Sequence, residues 1–143
     1  MIAVDINLLV YTFDISSPHH ERTRVWLERE LTGGTPIAVP WETAMGCVRL
    51  ISNERIYRHP MTVTDAWTRV GQLLADPRVW VPTPTPQHAQ IVSELVGSPG
   101  LSSNDVPDVH LAALSISHGL RLASHDQGFA RFEGLRWFDP IAA

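Results

Sequence analysis

Lysine is missing from this chain: all 11 basic residues are arginine. Every chemistry that requires a lysine amine is thereby excluded. Cysteine is nearly missing too. Cys47 stands alone, so no internal disulfide can form and no thiolate-rich metal set exists. Its setting, Ala44-Met45-Gly46-Cys47-Val48, reads as a buried small residue, and a cytosolic redox state fits. No apolar run approaches the roughly 18 residues of a membrane span. No basic stretch precedes the N-terminal apolar run, so a secretory signal is not expected and a cytoplasmic location is. An excess of positive charge is also lacking, with a net charge of −4. Internal repeats and low-complexity tails are absent.

What is present is a chain of 143 residues, 44% apolar, long enough for one domain with its own core. Short apolar runs alternate with helical patterns, which argues for an α/β fold with parallel strands. Strands are expected at Ile2–Val4, Ile37–Val39, Val79–Val81, Arg121–Ala123 and Leu135–Phe138, the last at the sheet edge. Helices are expected over about 7–13, 19–31, 41–52, 63–75, 87–96 and 106–118, with a helical turn at Gln127–Arg131. Thr62 or Thr64 caps the fourth helix, and Gly119 is the expected left-handed stop after the sixth. Val25, Trp26 and Leu27 are expected on or near the apolar side of the second helix. Pro82 to Pro86 reads as a stiff connector, and residues 97–104 as a loop.

Four acids fall at equivalent places in this pattern. Asp5 follows the first apolar run, Glu42 the second and Asp126 the fourth, while Asp108 opens the helix leading into that fourth run. Parallel strands would bring these positions to one edge of the sheet, where open α/β folds bind ligands. Carboxylates gathered there repel one another unless a cation sits among them. Mg²⁺ or Mn²⁺ suits an all-oxygen set and keeps several waters, so a few carboxylates suffice. Each acid also has a local reading. Asp5 and Asp126 can cap the turns that follow them, and Glu42 and Asp108 are acids that a helix dipole favours in a first turn. Removing the four from the 15 acids leaves 11, equal to the 11 arginines, so the net charge does not exclude a phosphate substrate. A G+C-rich coding bias explains the all-arginine composition better than a phosphate substrate does.

Other residues stand near this set. Asn7 and Ser124 can hydrogen-bond the carboxylates. Asp105 is a further candidate ligand or contact. Asp14 reads as a cap ahead of Ser16-Ser17, and Asp139 as solvent-facing. His110 is expected on a different helix side from Asp108, and His125 as an exposed turn residue. The five tryptophans read as core or interface rather than as a base-stacking platform.

Four segments together resemble the PIN-domain ribonucleases, in particular VapC-type toxins of bacterial toxin–antitoxin modules. They are Val4-Asp5-Ile6-Asn7-Leu8-Leu9-Val10-Tyr11, Trp41-Glu42 with its apolar helix, Val106 to Leu114 around Pro107-Asp108, and Leu122-Ala123-Ser124-His125-Asp126-Gln127-Gly128-Phe129. The closing Gly134-Leu135-Arg136-Trp137-Phe138-Asp139-Pro140 is similar to a mycobacterial-type subgroup. The resemblance spans nearly the whole chain and implies a single PIN domain over residues 1–143. It further implies a three-layer α/β/α fold with a five-stranded parallel sheet in the order 3-2-1-4-5. Asp5, Glu42, Asp108 and Asp126 take the four acidic catalytic positions of a Mg²⁺ site in which Mn²⁺ can substitute. Asp5 and Asp126 would be direct ligands, and Glu42 and Asp108 would complete the site directly or through water. Gln127-Gly128-Phe129 departs from the many relatives that carry a further acid before the Phe.

The expected function is therefore a Mg²⁺-dependent endoribonuclease toxin, cutting RNA by in-line attack of an activated water to leave a 5′ phosphate and a 3′ hydroxyl. Its expected partners are RNA, a small cognate antitoxin and a second copy of the chain. An aspartyl-phosphate fold, suggested by Asp5-Ile6-Asn7, founders on the absent lysine. The remaining rival is a catalytically inert PIN-like module that binds RNA or protein.

Overall fold

A computed structural model describes residues 1–143. Five strands, β1 (Ile2–Val4), β2 (Ile37–Ala38), β3 (Val79–Trp80), β4 (Arg121–Ala123) and β5 (Arg136–Phe138), form one sheet in the order 3-2-1-4-5. Every pairing is parallel, and the register sets Ala3 opposite Ala38 on one side and Leu122 on the other. The strands are only two or three residues long, so Val39, Val81 and Leu135, expected within strands, fall just outside the observed ones. Burial explains the wholly apolar character of β1 and β2, whereas β4 and β5 each open on an exposed arginine.

Six helices cover the sheet: α1 (Ile6–Phe13), α2 (His20–Thr32), α3 (Trp41–Ile51), α4 (Val63–Leu74), α5 (His88–Leu95) and α6 (Val106–Ser117). The alternation of side chains along each strand divides the core in two. Ile2, Val4, Ile37 and Ala123 pack with Leu8, Trp26, Val48 and Val70 from α1 to α4. Ala3, Ala38 and Leu122 face Leu95, Val109 and Ala112 from α5 and α6 on the other side. Thr62, not Thr64, caps α4 by accepting from Asp65 N at 3.0 Å. Gly119 ends α6 with φ 66°, in the left-handed region.

The structure corrects several sequence expectations here. Val25 is exposed, while its neighbours Trp26 and Leu27 are buried. The 97–104 loop closes in a 3₁₀ turn, Ser103–Asp105, held by reciprocal bonds between Ser102 and Asp105. Trp41 and Trp67, 49% and 42% exposed, stack on the surface with ring centroids 6.5 Å apart. No helix is long and apolar enough to cross a membrane.

Because the chain visits β1, β2 and β3 in one direction and then returns to β4 and β5, the order reverses between β1 and β4. At the carboxyl ends of these two strands the loops diverge and leave a crevice.

Candidate metal centre

Asp5 sits at that crevice, on the first position past β1, and is 6% exposed. Its backbone N–H donates to Ala123 O at 3.0 Å, continuing the β1–β4 ladder by one rung. One carboxylate oxygen caps α1 by accepting from Ile6 N at 2.7 Å, and the other accepts from Ser124 Oγ at 2.6 Å. The capping reading and the site reading are thus compatible: a single side chain caps the helix and fronts the crevice. Burial raises the Asp5 carboxyl above its usual range, the bonds from Ser124 and Ile6 N oppose the rise, and nearby Asp126 adds to it.

Ser124 is fully buried and its hydroxyl is saturated. It donates to Asp5, accepts from Asp126 N at 3.0 Å, and accepts from Asn7 Nδ2 at 3.4 Å. Asn7 Oδ1 in turn accepts from His125 N at 3.4 Å, and Trp137 Nε1 donates to Ser124 O at 3.0 Å. Of the two residues expected to bond the carboxylates, Ser124 does so directly, whereas Asn7 reaches only Ser124 and the His125 backbone. Asp126 is exposed and caps the 3₁₀ turn Gln127–Arg131 by accepting from Gly128 N at 2.8 Å.

Glu42 and Asp108 come from the first turns of α3 and α6. With Asp5 they line one cleft of about 110 Å³, floored by Ile6, Thr43 and Leu111. Asp108 is half-buried. Burial first, then the charges of Asp5, Asp126 and Asp105, push its carboxyl up to about 6, with Arg131 opposing. Glu42 has its side chain 60% exposed.

The fold thus carries all four acids to one edge. It does not preform a closed cage: no three His, Cys, Asp or Glu side chains are gathered tightly enough to ligate one ion directly. Their chemistry nonetheless fits a hard cation. The donors are oxygens, two of the carboxyls are driven toward protonation by burial and then by neighbouring carboxylates, and Mg²⁺ needs few protein ligands because it retains waters.

Other expectations are redrawn by the geometry. Asp105 accepts from Ser102 N at 2.8 Å and pairs with Arg131 at 2.9 Å, so its oxygens are engaged beside the cleft. Asp14 accepts from Ser16 and from the Tyr57 hydroxyl, a local role. Asp139 is not solvent-facing: its side chain is 9% exposed and accepts at 2.7 Å from His125 Nδ1. His125 is accordingly half-buried, packed against His19 at 4.8 Å between ring centroids. His110 does reach the cleft, with Nε2 3.2 Å from Glu42 Oε1 and Nδ1 3.0 Å from His88 Nε2. Spacing along α6 alone hid this, because the partner arrives from α3. Sequence reasoning also missed Arg131, whose proximity to the acids depends on how two short turns meet.

A family model described as PIN domain matches residues 2–135. Ribonuclease VapC37 of Mycobacterium tuberculosis is 35% identical over 142 residues, covering 99% of both chains. VapC ribonuclease Mb2897 of Mycobacterium bovis is 34% identical over 141 residues, covering 99% of this chain and 96% of that one. Among solved structures, VapBC2 from Rickettsia felis bound to a DNA fragment from their promoter superposes with a TM-score of 0.74 at 17% identity, covering 97% of this chain and 98% of that one. Mycobacterium tuberculosis VapC20, a sarcin-ricin loop cleaving toxin, gives 0.64 at 16% identity, covering 95% and 99%. At such identities the structural likeness speaks to the fold.

Proposed function

The chain belongs to the PIN-domain family, with VapC ribonucleases among its relatives, and from that membership we propose that it is a divalent-metal-dependent endoribonuclease, the toxin of a toxin–antitoxin pair. The observation that carries the metal-dependent part is the crowding of Asp5, Asp108 and Asp126 in a water-poor place: burial first, and neighbouring carboxylates after it, raise Asp5 and Asp108 toward protonation. Such crowding is electrostatically unfavourable in the free protein and favourable once a cation arrives.

Asp5 and Asp126 would hold Mg²⁺, with Mn²⁺ able to replace it, and Glu42 and Asp108 would complete the set directly or through water. The bound cation supplies a polarised phosphate oxygen and a water of lowered pKa. The protein's own contribution is placement. Ser124 fixes one oxygen of Asp5 and, through Asp126 N, the start of the Asp126 turn. The Ile6 N–H fixes the other oxygen of Asp5, so the carboxylate cannot swing away from the crevice. His110, steadied by His88, faces Glu42. No lysine or free thiol stands ready as a nucleophile, and Cys47 is buried with its thiol pushed up to about 12 by burial. Hydrolysis by water, without a covalent intermediate, suits these residues.

The partners follow from the same reading: RNA as substrate, a small cognate antitoxin covering the groove, a second copy in a homodimer, and action in the cytoplasm. The test is an RNase assay on purified protein with and without Mg²⁺, beside an Asp5→Ala control. Cation-dependent cleavage that disappears in the variant is the expected result. Equal cleavage by both proteins, or none by wild type, contradicts the proposal; RNA binding without cleavage would favour an inert module.

A further inference from the structure

We propose that Arg131 contacts the substrate, its guanidinium binding a phosphate oxygen of the RNA strand that lies over Asp5, Asp108 and Asp126. The inference rests on the nuclease reading above and adds to it a named residue for the phosphate.

Asp126 and Arg131 are the two ends of one short turn. Asp126 caps the 3₁₀ segment Gln127–Arg131, and Arg131 is its last residue. Both side chains lean over Gly128. A Cβ there would lie 3.0 Å from Asp126 Oδ1 and 3.7 Å from Arg131 Nη2, so glycine at this position lets acid and guanidinium share one small space. Arg131 is anchored from behind. Its Nη2 forms an ion pair with Asp105 Oδ1 at 2.9 Å, and the other Asp105 oxygen accepts from Ser102 N at 2.8 Å. The guanidinium also lies 5.2 Å from the centre of the Phe132 ring. One ion pair leaves most of its five N–H donors without a protein partner, and Nε is buried with none at all.

The electrostatics argue for a substrate role. A site that only held a cation would be weakened by a fixed positive charge beside its carboxylates. A site that must also hold a polyanion against four carboxylates needs such a charge, and arginine binds phosphate through paired donors. The rival reading is a brace, in which Arg131 only ties its own turn to the Ser103–Asp105 turn through Asp105.

Arg131→Ala, Arg131→Lys and Asp105→Asn separate the two in the full-length chain. Binding of a fluorescein-labelled, mixed-sequence RNA oligonucleotide is measured by anisotropy in an Asp5→Asn background, where cleavage is off. Mn²⁺ affinity is measured by calorimetry without RNA in the otherwise wild-type background. The expected result for Arg131→Ala is RNA affinity reduced about ten- to a hundredfold, as for loss of a charged hydrogen bond. Its salt slope should be shallower by about one. Mn²⁺ binding should tighten on the order of threefold, since a competing positive charge is gone. Arg131→Lys should recover part of the RNA affinity, and Asp105→Asn should keep most of it. Unchanged RNA affinity in Arg131→Ala overturns the proposal, as does a parallel loss of RNA and Mn²⁺ affinity in Arg131→Ala and Asp105→Asn, the signature of a brace. If wild type fails to cleave RNA, the nuclease reading fails separately, while the binding measurement still decides whether Arg131 holds RNA.

Discussion

The two halves of the acidic edge are built differently. Asp5, Ser124 and Asp126 hang on the central strands β1 and β4, and their positions are over-determined: both Asp5 oxygens are bonded, and the Ser124 hydroxyl serves Asp5, Asp126 N and Asn7. Glu42 and Asp108 stand on the first turns of α3 and α6, with His110 as the only side chain paired to Glu42. A strand end fixes a carboxylate to within the error of a backbone ladder. A long side chain on a helix's first turn is fixed only by what it meets. The first half therefore behaves as a rigid seat, and the second as an adjustable wall that can close on whatever the seat holds.

The sharpest way to break this contrast is at the seat. Asp5→Asn should lower turnover on the order of a thousandfold, the scale of removing one preorganised electrostatic contact. It should lower the melting temperature only modestly, because one oxygen still caps α1 while the new amide cannot accept from Ser124 Oγ. A large drop in both would recast Asp5 as a folding residue.

Ser124→Ala should follow. It removes the hydroxyl that unites Asp5 with Asp126, and an orphaned buried acceptor costs about 1–3 kcal/mol in a denaturant melt. Metal affinity should fall about ten- to a hundredfold. Glu42→Gln tests the other half and should do less: about tenfold in turnover, as for a group that completes a metal site from its edge, and within about 0.5 kcal/mol in stability, as for a surface substitution. An effect of Glu42→Gln equal to that of Asp5→Asn would erase the distinction between seat and wall.

The smallest effect is in pH. Without a divalent cation, Asp108 holds its proton up to about 6 in the folded chain against an ordinary 3.8, and Asp5 shifts in the same direction. The folded state then binds more protons than the unfolded state across that window. These groups' contribution to stability is complete below the window and is lost as pH rises through it. Adding Mg²⁺ or Mn²⁺ should flatten or reverse the slope in a thermal melt. An unchanged slope would mean that the cation does not meet these carboxylates.

The contrast also explains what could be read from the sequence. The strands, their parallel direction and the placement of four acids at one edge follow from apolar runs and from where acids succeed them, which are local patterns; the strand order comes only with the resemblance to the PIN-domain family. Ser124 was legible for the same reason, as the residue directly after β4. Asp139 and His125 were misplaced because their burial depends on β5 folding back beside the β4 loop, so that two residues 14 apart meet at 2.7 Å. His110 was misplaced because its partner comes from another helix. Arg131 was invisible among the arginines because two 3₁₀ turns, each too short for a periodic signal, decide where it points. Side chains held by their own strand or turn are written in the local sequence; those held by a distant element are not.

The central claim is that the four carboxylates act as one cation-binding unit seated on Asp5 and Asp126. It is tested most directly by titrating Mn²⁺ into wild type, Asp5→Asn, Asp126→Asn and the double variant, reading free Mn²⁺ by electron paramagnetic resonance. Saturable binding in wild type, lost in either single variant with little further loss in the double, is the predicted result. Wild-type affinity in both single variants, or no saturable binding in wild type, would contradict it.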